Sequence, residues 1–208
     1  MDLDKNSIFS TNWRMFYCLK PFQFDPLGEK YGLEIEDEIR KSGFNISHET
    51  VFTYLNHYCK TGILRKIKRG RQAFFSLTSE NALLIMALLE QDRTNLFLRD
   101  SKLTIPILEV SGLLGGCSFA VLFGSVARGH ERDSSDMDIL IVDGKTDKAA
   151  ISKKEAVYGI TINIHSVPMK ELENQWHREP IYKGIWRDRI VLKNYNRFWE
   201  FALAEGKP

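Results

Sequence analysis

The chain has 208 residues, with 29 Lys and Arg against 27 Asp and Glu and a formal net charge of +2. That near-neutral balance excludes a chain-wide polyelectrolyte, so any nucleic-acid footprint has to be local. The length allows one large domain or two small ones. The most apolar block, Ala82–Leu89 (ALLIMALL), is far too short to span a bilayer, so no membrane role is expected. Cys18, Cys59 and Cys117 are odd in number, widely spaced and without metal-ligand spacing, which argues against structural zinc. With no secretory segment at the N-terminus, a reducing, cytoplasmic location is expected.

Taken in chain order, Asn12–Leu19 is expected to form a first helix. Leu33–Lys41 carries Leu33, Ile35 and Ile39 among acids, a helical pattern that Gly43 ends. Ser47 then reads as the N-cap of a second helix, His48–Cys59, with Val51, Leu55 and Tyr58 as its buried stripe. The run TGILRKIKRGRQAFFSL predicts two short strands around Gly70. Helix, turn, helix and basic hairpin together resemble a winged helix-turn-helix. The stretch Gly62–Leu77 in particular is similar to the helix-to-wing passage of archaeal and bacterial regulators of this class.

That resemblance implies a DNA-binding domain over residues 1–79 and double-stranded DNA as a partner. The second helix would expose His48, Glu49, Thr50, Thr53, Asn56 and His57, short polar side chains able to reach base edges in the major groove. Arg65, Lys66, Lys68, Arg69 and Arg71 crowd the hairpin, and no acid occurs from Lys60 to Arg71. Such a patch suits phosphates or a minor groove. The competing explanation is a solvated edge that its charges keep from aggregating.

Residues 80–101 read as a linking helix, with the best boundary after it at Arg99–Leu103. Its block Ala82–Leu89 is apolar nearly all round and has to be buried. Packing between two domains, a homodimer seam and core packing within one chain all satisfy that requirement.

Most of the chemistry lies in residues 121–142, VLFGSVARGHERDSSDMDILIV. An apolar strand, Ser118–Phe123, hands over at Gly124 and Ser125 to a short helix, roughly Ser125–Arg128. Asp136 and Asp138 then lead into a second apolar strand, Ile139–Val142. Side chains two apart on a strand share a face, so the two aspartates can converge on one ion or a pair of ions. Hard cations such as Mg2+ take one or two carboxylates from protein and fill the rest with phosphates and water. Gly124 permits close backbone approach to a ligand, and Arg128 carries a fixed charge for a phosphate or a carboxylate. The segment closely resembles the nucleotidyltransferase-fold signature G-S-x10-D-x-D, including the R-G after the serine. The resemblance implies that Asp136 and Asp138 bind catalytic Mg2+. It also implies that Gly124 and Ser125, with Arg128 beside them, bind a nucleoside triphosphate, ATP being the first choice.

The resemblance extends from about Lys102 to the C-terminus. Leu103–Gly112 supplies a leading helix, Tyr158–His165 (YGITINIH) a third strand, Glu171–Gln175 a helix and Arg189–Leu192 a late strand. Length and order look like the minimal nucleotidyltransferases, a compact branch that includes antitoxins, so a toxin or another protein acceptor joins the expected partners. One departure matters. Where the family carries a third carboxylate, this chain has Asn163, whose amide offers an oxygen to a metal but cannot accept a proton. His165 on the same face is a substitute base or simply a strand-end histidine, and Glu155 is another carboxylate whose place the sequence does not fix. The expected fold class is α+β: an N-terminal winged helix-turn-helix, a linking helix, and over 102–208 a nucleotidyltransferase-fold α/β domain with a small mixed sheet. The expected function is a DNA-binding regulator joined to a Mg2+-dependent nucleotidyltransferase. The alternative is an impaired fold that senses nucleotide or binds a partner.

Overall fold

The computed structural model describes residues 13–26, 28–41, 43–129 and 136–208, which leaves Asn12, the expected start of the first helix, outside the described residues. The chain divides between Ala82 and Leu83 into two compact units.

In the first unit, α1 (Trp13–Tyr17) is followed by a 3-10 helix (Lys20–Phe24), β1 (Lys30–Tyr31), α2 (Gly32–Lys41), α3 (His48–Lys60), β2 (Leu64–Arg69) and β3 (Gln72–Leu77). The three strands form an antiparallel sheet in the order β1–β3–β2. α1 stops short of the expected Leu19 because Pro21 lacks the amide that would bond to Tyr17, and the chain tightens into 3-10 turns. Ser47 caps α3, its hydroxyl accepting from the Thr50 amide at 3.2 Å and so satisfying one of the helix's open donors. Val51, Leu55 and Tyr58 are buried along one face of α3, and Ile35, Ile39, Leu64, Phe75 and Leu77 complete the core around them. β1 is two residues long, too short to show a period in the sequence.

α4 (Ser79–Asp100) runs through the division. Beyond it the second unit contains α5 (Thr104–Leu113), β4 (Phe119–Phe123), α6 (Gly124–Ala127), β5 (Met137–Val142), α7 (Lys148–Tyr158), β6 (Ile162–Val167), α8 (Met169–Gln175), α9 (Pro180–Asp188), β7 (Ile190–Lys193) and α10 (Tyr195–Glu205). The sheet order is β6–β5–β4–β7, with β5 and β6 parallel and β4 antiparallel to both neighbours. This is a small mixed sheet in an α+β unit. Alternation along β5 sends Met137, Ile139 and Ile141 into one core cluster with Ile107 and Val110 of α5 and Ile151 of α7. The opposite face carries Asp138, and there Phe119 packs edge-on against Phe198 of α10.

The third strand differs from the sequence expectation at its start. Tyr158 ends α7, Gly159 caps that helix in the left-handed region at φ 64°, and β6 begins only at Ile162. The alternation YGITINIH extends in sequence beyond the strand because a helix-ending glycine sits inside it. Trp176, Trp186, Phe198 and Trp199 are all buried, as helix-core spacing suggests. Trp186, Phe198 and Trp199 surround Arg189, whose guanidinium lies 4.1 Å from the Trp186 ring centroid and pairs at 3.2 Å with Glu90 of α4. Both members of that pair are fully buried, and burial pulls the Arg189 guanidinium down to about 10. Within the apolar block of α4, Met86, Ala87 and Leu89 are buried whereas Leu84 is 63% exposed. Among the described residues no helix is long and apolar enough to cross a membrane.

Candidate functional site

The row of paired residues across the second sheet builds the site. Phe123 of β4 pairs with Asp138 of β5, and Asp138 pairs with Asn163 of β6, so register alone sets the three side by side on one face. Gly124 follows immediately with φ at 79°, a conformation that L side chains rarely adopt. A Cβ placed there would stand 2.6 Å from Asp138 Oδ2, so a side chain would strain the backbone and push the Asp138 carboxylate aside. Asn163 Nδ2 donates to Asp138 Oδ1 at 3.0 Å. One carboxylate oxygen is thus held by the amide while the other faces the Gly124 turn.

Asp136 is exposed and sits one residue before β5, where the Met137 amide donates to the Thr161 carbonyl at 2.8 Å and anchors the entry to the strand. Strand parity directs Asp136 to the face of Asp138. Ser125 is half-buried in α6. His165 is exposed, with its ring centroid 5.6 Å from that of Phe123.

Asp138 and Asn163 meet on this face, and strand parity puts Asp136 on the same side. Among the described residues no group of three or more His, Cys, Asp and Glu side chains is assembled. The donor set consists of hard oxygens in the small number that Mg2+ takes from protein, and it does not suit zinc.

Arg128, expected to meet a phosphate or a carboxylate, meets a carboxylate of the protein itself. Its Nη1 donates to Asp188 Oδ2 at 2.6 Å. Asp188 is buried at the end of α9 and is gripped from the other side by Arg187, at 2.7 and 3.1 Å. The Arg187 hydrogen bonds, with Arg128 adding to them, hold the Asp188 carboxyl below the usual carboxylate range. The guanidinium is therefore already engaged by a carboxylate of the protein. Glu155, whose place the sequence did not fix, lies on α7, where its side chain accepts from the Ile162 amide at 2.9 Å and fastens the start of β6. Nothing local in the sequence pointed to Asp188, since WRDR reads as surface charge and its partner lies 60 residues away.

In the first unit the expected DNA-facing residues fall into two groups. His48 Nδ1 is 2.6 Å from Glu36 Oε2, and Glu36 also pairs with Arg40. Thr50 is bonded to Ser47, and the Thr53 hydroxyl donates to the Glu49 carbonyl. Asn56 accepts from Lys66 Nζ at 2.8 Å, and Arg69 pairs with Glu29 at 2.8 Å. Thr50, Asn56 and Lys66 are half-buried, while His57, Arg65, Lys68 and Arg71 are exposed. Lys68, Arg71 and Arg65 form no ion pair with any described residue.

Residues 114–193, which span β4 to β7, match the family model of the nucleotidyltransferase domain. The segment holding Gly124, Asp138 and Asn163 is therefore a nucleotidyltransferase domain within the longer chain. No curated protein and no solved structure matches the chain significantly.

Proposed function

We infer that the chain is a DNA-binding regulator whose nucleotidyltransferase domain binds a nucleoside triphosphate, ATP first, together with Mg2+. The observation that carries the nucleotide half is the approach of Asp138 to the Gly124 turn, at a distance that no Cβ would allow. Asp136 and Asp138 would hold the metal, and Gly124 and Ser125 would face the phosphates. When bound, Mg2+ would neutralise phosphate charge as a protein or small-molecule hydroxyl takes the nucleoside monophosphate at its α-phosphorus and pyrophosphate leaves. Asn163 steadies the Asp138 carboxylate but cannot take a proton from that hydroxyl. Loss of a general base typically lowers a rate by about 10²–10⁴-fold, so the domain binds nucleotide well and turns it over slowly.

The same asparagine favours a second reading, in which nucleotide or a partner protein such as a toxin is bound without turnover. Incubating the protein with labelled ATP, Mg2+ and candidate acceptors separates the two. Slow label transfer that disappears in an Asp136→Ala, Asp138→Ala variant supports the enzyme. Triphosphate binding without transfer supports the sensor.

For the first unit, helix α2, the turn to a Ser47-capped α3, and a hairpin bearing Arg65, Lys68 and Arg71 support a winged helix-turn-helix reading. In this reading α3 enters the major groove and the hairpin meets phosphate. A gel shift with the protein's own promoter region tests it. The complex should weaken as salt rises, and a shift that is insensitive to salt contradicts the reading. A homodimer reading two half-sites is part of this proposal, with the exposed Leu84 on α4 as the residue to alter in testing it.

A further inference from the structure

The first unit contains a cavity of about 330 Å3 bounded by α1, the 3-10 helix, β1, α2 and Phe44. None of its lining residues belongs to α3 or to the β2–β3 hairpin, so it is separate from the surface assigned to DNA. Its walls are aromatic. The Tyr17 and Phe44 rings lie 4.9 Å apart at 48°, and Phe24 contributes a third ring that is 43% exposed. The buried side chain of Ile39 closes the apolar floor.

The rim is basic. Among the described residues, Lys20, Lys30 and Lys41 line the cavity against a single acid, Glu38. Lys20 Nζ stands 5.3 Å from the Tyr17 ring centroid, a cation–π contact that places one positive charge directly beside the aromatic wall. Lys30 and Lys41 make no ion pair with any described residue. A cavity of this size, apolar in its body and bearing a few placed charges at its mouth, has the make-up of a small-molecule site.

We propose that this cavity binds a small aromatic carboxylate, its ring between Tyr17, Phe24 and Phe44 and its negative charge against Lys30 and Lys41. The ring supplies buried apolar area, and the ammonium groups give charge-assisted hydrogen bonds that select an anion over its neutral counterpart. The proposal is independent of the nucleotide and DNA readings.

The test is isothermal titration of the full chain with three probes: 2-naphthoate, the neutral 2-naphthalenemethanol and acetate. Naphthoate should bind one to one with a Kd on the order of 10–100 µM, as expected for a ligand of its size. The neutral probe should bind about tenfold more weakly, and acetate should give no detectable heat. Lys30→Gln with Lys41→Gln alters exposed or half-buried side chains and should leave the melting temperature unchanged. It should remove the advantage of naphthoate over the neutral probe, while Phe24→Ala should weaken both. No one-to-one binding of naphthoate by the wild type overturns the proposal. So does equal binding of the charged and neutral probes, or naphthoate binding that both variants leave intact.

Discussion

The two units use charge in opposite ways. In the second, Asp138 is fixed by its place in a ladder row, by the Gly124 backbone and by Asn163, and deeper in the unit Arg189 and Glu90 are sealed among tryptophans. On the hairpin of the first, Lys68 and Arg71 stand in solvent. Charge that is desolvated and aimed by a sheet depends on each of its neighbours. Exposed charge acts through a field that screens and adds, so its members are close to interchangeable. The second unit should therefore respond to single substitutions in steps, and the hairpin in small increments.

The largest effect tests that contrast directly. Arg189→Ala strands Glu90 in the interior and should cost about 3–5 kcal/mol in denaturant unfolding, the usual result of breaking a buried pair. Arg71→Ala should stay within about 0.5 kcal/mol by the same measurement. Similar values for the two would erase the distinction.

Next comes Asn163→Asp, which restores a proton acceptor beside Asp138. If the enzyme reading holds, single-turnover label transfer should rise by roughly 10²-fold, the lower end of general-base contributions. No change would place Asn163 outside the chemistry. Gly124→Ala should weaken triphosphate binding by at least about tenfold, because the added methyl displaces Asp138 while the backbone angle adds strain of about 1 kcal/mol. Wild-type affinity in that variant would show that the close approach has no bearing on the ligand.

A pH effect follows from Asp188. Its folded-state pKa is depressed, chiefly by Arg187, so its contribution to stability is present above the unfolded carboxylate value of about 3.9 and is lost as pH falls through the folded value. Asp188→Asn should flatten the acid side of the stability–pH curve, and an unchanged acid limb would remove the Arg128–Asp188–Arg187 cluster from the account.

The smallest steps belong to the hairpin. Replacing Lys68 and Arg71 together by Gln should lower the log–log salt slope of DNA binding by about 1.8 while leaving any sequence preference intact. The same change at Lys66 and Arg69 should do less, since Asn56 and Glu29 already hold those side chains.

What could be read from the sequence was what is encoded locally. The Ser47 cap, the α3 stripe and the Gly124–Ser125 turn between a strand and a short helix all depend on residues within a few positions of one another. The family pattern pointed to Asn163 as the position of a third carboxylate, whereas the register that sets it opposite Asp138 is a property of the fold. The start of β6 was misplaced because Gly159 carries the helix-cap signal inside an alternating run. For Arg128 the sequence left phosphate and carboxylate both open, because Asp188 is brought to it only by the fold. Glu155 could not be placed until the end of α7 was known.

The most direct test of the central claim is calorimetric titration of a non-hydrolysable ATP analogue, with and without Mg2+, into the wild type and an Asp136→Asn, Asp138→Asn variant. Mg2+ should strengthen binding to the wild type, and the variant should lose that strengthening, by about tenfold or more. A wild type that binds no triphosphate in the presence of Mg2+, or a variant that binds it as tightly as the wild type, would contradict the account.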